Sequence, residues 1–203
     1  MPASGGGWDF SFVRKVNIFL DNASAEKAQV PPDDFAALLG EAKFFKARWY
    51  ASMVQRFGDV PWLSTEMKED SPELFGPRID RKIVMDSVLN HIDYAIANLP
   101  DNTKNNSYIN RNIALAEKAR MFLFEGTFRK YHGLGDYTTY LQEAFDAAEA
   151  LIDEQNYSLY TDFRELFNRT EKIGCPESIM IRDYAHDEIM TATNRMLQRI
   201  IRT

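Results

Sequence analysis

The residue types that most often perform catalysis are poorly arranged for it in this sequence. His91, His132 and His186 lie far apart, and none has a partner at the short spacing that a zinc site requires. The segment GLGD lacks the lysine and the preceding strand of a phosphate-binding loop. No G-x-S-x-G motif is present. The sequence therefore favours a protein without enzymatic activity, cofactor or bound metal.

The acidic side chains and the single cysteine give little more support to catalysis. Asp and Glu fall mainly on the polar faces of predicted helices, where contact with solvent is their expected role. A helical glycosidase with two converging carboxylates is therefore the weakest of the functional alternatives. Cys175 is the only cysteine, which excludes a disulfide within the chain, and we expect it to be a small buried side chain.

Two tryptophans lie where an indole ring need not be part of a core. Trp8 follows a glycine-rich stretch, and Trp62 follows Pro61 in a turn. Tryptophan faces bind the C–H surfaces of sugar rings, while neighbouring polar groups bind the hydroxyls. We predict Trp8 with Asp9 as a stacking and hydrogen-bonding pair and Trp62 as a second platform, with packing as the alternative for each. Trp49, in the middle of a helix, is predicted to be a core residue.

Composition excludes several classes of partner. Hydrophobic residues make up 45% of the chain and charged residues 27%, as in globular proteins. The net charge of -6, with basic residues interspersed among acidic ones, argues against nucleic-acid binding. No apolar run is long enough to cross a bilayer. The N-terminal residues MPASGGGWDF lack the basic stretch followed by an apolar stretch that is typical of a signal peptide. We therefore expect a soluble chain from which a targeting segment has been left out.

Hydrophobic periodicity predicts a series of amphipathic helices separated by polar breaks. The first should end near Asp21 and Asn22, and the second should begin at Pro32, capped by Asp33 or Asp34. Further helices are predicted in residues 81–100, 111–131 and 140–155, with a short one in 162–168. The alternation in ESIMIRDY, residues 177–184, predicts a strand, and NRMLQRIIR forms a final segment.

The second helix has two apolar faces and is expected to be covered on both sides. Ala47 and Ala51, on one of these faces, allow close approach of a neighbouring helix. That face consists of Phe44, Ala47, Ala51 and Val54, and the other of Phe35, Leu38, Ala42, Phe45, Trp49 and Met53. Such a helix is typical of the inner member of a stacked array. We predict a mainly α fold of tetratricopeptide-like hairpins stacked into an α-α superhelix, with little strand near the C-terminal end, in a single domain, 1–203.

Five segments, in order, resemble the SusD/RagB family of nutrient-binding lipoproteins. EAKFFKARWYASMVQRFGDVPW is similar to the family's signature helix and its Phe-Gly-Asp-Val-Pro turn. FVRKVNIFLDNA, IDYAIANLP, NRNIALAEKARMFLFEGTFRKYH and YSLYTDFRELF are similar to the segments around it, so the resemblance covers about residues 8–185. Lys46, where the family often has arginine, and Glu117 with Lys118, where smaller residues are usual, are small departures.

The resemblance implies a location and a set of partners. Family members are tied to the outer membrane of Bacteroidetes by a lipidated N-terminal cysteine, face outward, and cap a SusC-like TonB-dependent transporter. They pass it oligosaccharides or, in some cases, peptides. We expect that the signal peptide, the lipobox and a C-terminal half are missing from this sequence, and that the helical units mainly contact the transporter.

Two hypotheses of different classes follow. The first is a non-enzymatic glycan-binding component of a surface uptake complex, with an oligosaccharide ligand. The alternative is a tetratricopeptide-type adaptor that binds a peptide or protein in a concave groove. A signal sequence and lipobox in the full reading frame would favour the first, and their absence would favour the second.

Overall fold

The computed structural model describes residues 6–26, 29–68, 70–101, 108–154, 156–168 and 175–181. These residues form six α-helices: α1 (Ser11–Glu26), α2 (Pro32–Phe57), α3 (Arg81–Asn98), α4 (Arg111–Tyr131), α5 (Tyr137–Asp153) and α6 (Phe163–Asn168). A 3-10 turn, Pro72–Phe75, lies between α2 and α3. The predicted mainly helical fold class is confirmed.

α2 begins where Pro32 predicts and ends at a glycine. Pro32 is the first helical residue, and Asp33 and Asp34 lie in the first turn, where negative charge stabilises the free amides. Gly58 ends the helix with a φ of 71°, which side chains with a Cβ rarely adopt, and its N–H donates to the Val54 carbonyl. The chain therefore turns sharply after Phe57.

The helices pack as two hairpins. α2 lies along α3, α4 lies along α5, and contacts between α3 and α4 join the hairpins, while α1 packs on α2. The approach of α4 to α5 is close: a Cβ built on Gly126 would lie 2.7 Å from Cγ of Leu141 and 3.0 Å from its backbone nitrogen. Only glycine allows this separation. The stacked hairpins agree with the predicted tetratricopeptide-like arrangement, and the assignment of 1–203 to one domain stays a prediction.

A buried ion cluster fixes α3 against α4. The Arg81 guanidinium donates to both carboxylate oxygens of Glu125, at 2.6–3.0 Å, and Arg129 Nε donates to Oε1 of the same carboxylate at 2.8 Å. Glu125 is 1% exposed. Two guanidiniums thus compensate one enclosed carboxylate, and the backbone N–H of Arg81 donates to Asp59 of the turn after α2.

Several boundaries differ from those predicted. α1 continues to Glu26, beyond the end expected near Asp21 and Asn22. α5 begins at Tyr137 because Asp136 has a φ of 62° and breaks the chain direction just before it. The strand predicted in residues 177–184 does not form in the described part, where 175–181 have turns and bends, and the rest of that segment lies outside the described residues, as does NRMLQRIIR.

Burial of α2 is less complete than predicted. The face with Phe44, Ala47 and Ala51 is buried against its neighbours, as expected. On the other face Phe45 and Trp49 are only half-buried, and Leu38 is 45% exposed. α1 and α4 both contact α2 yet leave part of this face open. The prediction that Trp49 is a core residue is therefore wrong in part, since the ring also borders solvent.

Candidate functional site

The turn after α2 is held by side chains from α1 and α2. The amide nitrogen of Asn17 donates to the carbonyls of Leu63 and Thr65 at 3.0 and 2.7 Å. The Tyr50 hydroxyl accepts from the Leu63 backbone N–H at 2.8 Å. Asn17 and Tyr50 are both fully buried, so these bonds are protected from water. The turn that carries Trp62 is therefore a rigid part of the fold.

Lys46 completes this arrangement from α2. Its ammonium donates to Oδ1 of Asn17 at 2.6 Å and to the Ser64 carbonyl at 3.3 Å, and the residue is 1% exposed. Burial lowers the pKa of Lys46 to about 8, while the carboxylate of Asp21 opposes that shift. Lys46 and Asn17 both lie in the segments that resemble the SusD/RagB family. Their role here is to fix the turn.

Trp62 packs on the core with part of its surface open. Its ring centroid lies 4.2 Å from that of Tyr50 and 5.3 Å from that of His91, and the Lys46 ammonium is 5.1 Å from the indole. Burial, together with the charges of Lys46 and Lys43, lowers the pKa of His91 to about 4. Trp62 thus borders a neutral imidazole. Its predicted contact with a ligand stays a prediction.

Trp8 and Asp9 lie just before α1. The Trp8 ring meets the edges of Phe10 and Phe57, at 5.2 and 5.0 Å, and the Arg78 guanidinium lies 4.8 Å from the indole centroid. The Asp9 carboxylate accepts from the backbone N–H and the hydroxyl of Ser11, at 2.8 and 3.0 Å. Backbone hydrogen bonding is the main cause of the lowered pKa of Asp9. Both residues already have partners in the fold, and their predicted ligand contact stays a prediction.

A connected series of aromatic rings, called here the aromatic run, joins the two predicted platforms. Neighbouring centroids are 4.2–5.3 Å apart in the order Trp8, Phe10, Trp49, Tyr50, Trp62 and His91. Such spacings are typical of interacting aromatic pairs. The fold thus brings Trp8 and Trp62 into one cluster, with Trp49 between them.

An open groove of about 690 Å³, called here the aromatic groove, lies beside the aromatic run. Its apolar rings and its polar groups come from α1, α2 and α4, and it is lined by Phe12, Phe45, Arg48, Trp49, Ala51, Ser52, Gln55, Glu117, Arg120, Met121 and Phe124. Flat rings bordered by a few polar groups are typical of small-molecule sites. The sequence signal for this groove was the helical period of α2, which places Phe45, Trp49 and Ser52 on one face.

Within the described residues, no three His, Cys, Asp or Glu side chains come together as a metal site. Every helix there is too short or too polar to cross a bilayer.

No family model matches the sequence. Over 151 residues the chain is 24% identical to SusD-like protein P2 of Formosa agariphila. The matched region covers 73% of this chain and 27% of that protein. The chain thus spans about a quarter of the length of that relative.

Solved structures with the same fold include a SusD superfamily protein of Bacteroides vulgatus, with a TM-score of 0.65 and 20% identity over 83% of this chain and 33% of that one. Surface glycan-binding protein A of Bacteroides uniformis matches with a TM-score of 0.63 and 18% identity, over 83% of this chain and 35% of that one. The SusD/RagB resemblance is thereby confirmed: the chain has the fold of SusD superfamily structures and distant sequence similarity to a SusD-like protein.

Proposed function

We propose that this chain is part of a non-enzymatic glycan-binding protein on the outer surface of a bacterial cell. Its fold is the observation that carries the proposal, because the same fold occurs in a surface glycan-binding protein. In this proposal a lipid anchor outside the chain ties the protein to the outer membrane, and a SusC-like TonB-dependent transporter receives the oligosaccharide.

The geometry of the described residues supports binding over chemistry. The buried carboxylate of Glu125 is occupied by Arg81 and Arg129 and is not free to transfer a proton to a ligand. The Lys118 ammonium likewise lies 2.7 Å from Asp93 and 2.6 Å from Glu143. Aromatic rings with polar neighbours, in contrast, are suited to hold a sugar without changing it.

The proposal is tested by calorimetric titration with plant and host oligosaccharides, followed by chromatography of the recovered sugar. We expect saturable binding in the micromolar to millimolar range and an unchanged ligand. Trp8→Ala and Trp62→Ala test the predicted platforms, with circular dichroism as the check that each variant folds. Cleavage of the sugar, or no binding to any glycan of the panel, would contradict the proposal.

The transporter partner needs a separate experiment. The full-length protein that contains this chain should co-purify with the TonB-dependent transporter encoded beside it when both are expressed in one cell. Recovery of the two proteins in separate fractions under mild detergent would remove this part of the proposal and leave glycan binding in place.

A further inference from the structure

The aromatic groove has the size and the rigid rings of a sugar site. Its volume of about 690 Å³ lies within the range of ordinary ligand pockets. The Trp49 ring meets Phe10 and Tyr50 edge-on, at 5.0 and 4.9 Å, so its orientation is fixed by neighbours that do not line the groove. A ring held in this way can accept a flat apolar face without loss of its own freedom.

Two arginines on facing helices add positive charge to the groove. Arg48 of α2 and Arg120 of α4 lie 3.5 and 3.7 Å from Oε1 of Glu117. Both distances exceed those of a normal N–H···O hydrogen bond, about 2.7–3.2 Å. The two side chains are 50% and 81% exposed. Because each guanidinium has five N–H donors, most of these donors remain accessible to a ligand.

The charge of the groove differs from that of the chain. The whole sequence carries a net charge of -6, whereas the groove lining has two arginines and one glutamate, a net of one positive charge. Guanidinium groups bind carboxylates through paired, charge-assisted hydrogen bonds. A local positive region in an acidic protein therefore favours an anionic ligand at this place.

From these contacts we infer that the aromatic groove binds an oligosaccharide through a sugar that carries a carboxylate, such as a uronic acid. The sugar ring packs on Trp49, and Arg48 and Arg120 bind its carboxylate. Ser52 and Gln55, further along α2, are placed to bind hydroxyl groups. This inference rests on the proposed glycan binding and adds the class of sugar and its position.

The ligand test uses three matched probes with this 203-residue chain: a galacturonate trisaccharide, its methyl ester and the neutral galactose trisaccharide. Titration calorimetry should show that the acid binds about tenfold more tightly than the ester or the neutral sugar. The advantage of the acid should shrink as salt is raised from low to high concentration, because exposed charges are screened.

The site test uses conservative variants on the groove wall. Arg48→Gln and Arg120→Gln should each weaken binding of the acid severalfold and leave binding of the ester nearly unchanged. Glu117→Gln should strengthen binding of the acid, since it removes the carboxylate that competes for both guanidiniums. Arg14→Gln, at an exposed ion pair with Glu66, is the matched control and should have no effect. Circular dichroism confirms the fold of each variant.

The outcomes separate this inference from the proposed function. Equal binding of acid and neutral trisaccharides, or arginine variants that bind the acid normally, would overturn the inference and leave glycan binding standing. If no glycan of any kind binds, both fall. If a tetraglutamate peptide binds at the arginines as tightly as the trisaccharide, the groove recognises protein carboxylates and the inference is again overturned.

Discussion

The position of His91 in the fold makes the stability of the protein depend on pH. The ring lies against Trp62 on the half-buried side of α3, and the charges of Lys46 and Lys43 lie nearby. Burial, with the two lysines, lowers its pKa in the folded protein to about 4, from 6.5. Between these values the unfolded chain binds a proton that the folded chain does not. Stability contributed by the neutral ring is therefore present above pH 6.5 and is lost as the pH falls towards 4.

We predict that His91→Gln flattens the fall in stability over this window. The wild-type chain should lose about 1 to 2 kcal/mol more than the variant between pH 6.5 and 4, a range that allows for screening of a partly exposed ring. Urea unfolding at several pH values measures it. His132→Gln, at the exposed end of α4, serves as the control, and parallel curves for wild type and His91→Gln would contradict the prediction.

The hairpins of this fold are joined by charge as well as by apolar packing. Glu125 on α4 lies between Arg81 of α3 and Arg129 one turn away, and all three are nearly enclosed. The Arg81 guanidinium also lies 3.7 Å from the Phe128 ring centroid, which adds a cation–π contact. Loss of the shared carboxylate would leave two positive groups facing each other without compensation.

At this contact between α3 and α4 we predict that Glu125→Gln lowers the free energy of unfolding by about 3 kcal/mol or more. The amide keeps the shape of the side chain but removes the charge that compensates the two arginines. Urea unfolding followed by circular dichroism gives the value. Glu149→Gln, on the exposed side of α5, should change stability by less than about 0.5 kcal/mol. Similar stabilities for the two variants would show that the buried cluster contributes little.

Local signals were enough to predict most helices. The start of α2 was predicted from Pro32 and the aspartates that follow it. Asn110, which caps α4 through the Ile113 N–H, and Gly58, which ends α2, are local signals of the same kind. The start of α5 was predicted three residues too late, because hydrophobic periodicity does not show where the preceding loop ends, and Asp136 there takes a positive φ. The strand prediction failed in the described residues because alternation alone does not supply a partner strand.

The aromatic groove depends on contacts that sequence spacing does not reveal. Phe45 and Trp49 share a helical face that periodicity indicates as apolar, and such a face serves equally well for a core or for a ligand site. The deciding fact is that α1 and α4 cover this face incompletely. Glu117 and Arg120 lie on α4, far along the chain from Arg48, and only the fold brings them together.

At the scale of the whole molecule, apolar rings remain on the outer surface. Phe163 and Phe167 of α6 are 77% and 57% exposed, and their centroids are 4.9 Å apart. The chain spans about a third of the solved structures that share its fold. Adjacent exposed rings favour association of molecules, because contact with a second apolar surface removes them from water.

We predict that the isolated chain self-associates as its concentration rises and that Phe163→Ser with Phe167→Ser reduces this association. Sedimentation equilibrium over a wide concentration range measures it. Phe75→Ser is the matched control, since that single ring is 81% exposed on the 3-10 turn, apart from the α6 pair. A chain that stays monomeric throughout, or one whose association is unchanged by the double substitution, would refute the role of α6.

The aromatic run has a spectroscopic consequence. All three tryptophans of the chain lie within it, linked by Phe10 and Tyr50 at centroid spacings of 4.2–5.2 Å. At such separations, excitation energy passes efficiently from tyrosine to indole and between indoles. The fluorescence of the chain should therefore behave as one coupled emitter, in which a sugar on Trp49 also alters the light emitted by Trp8 and Trp62. Replacing each tryptophan in turn with phenylalanine would resolve that shared signal into its three sources.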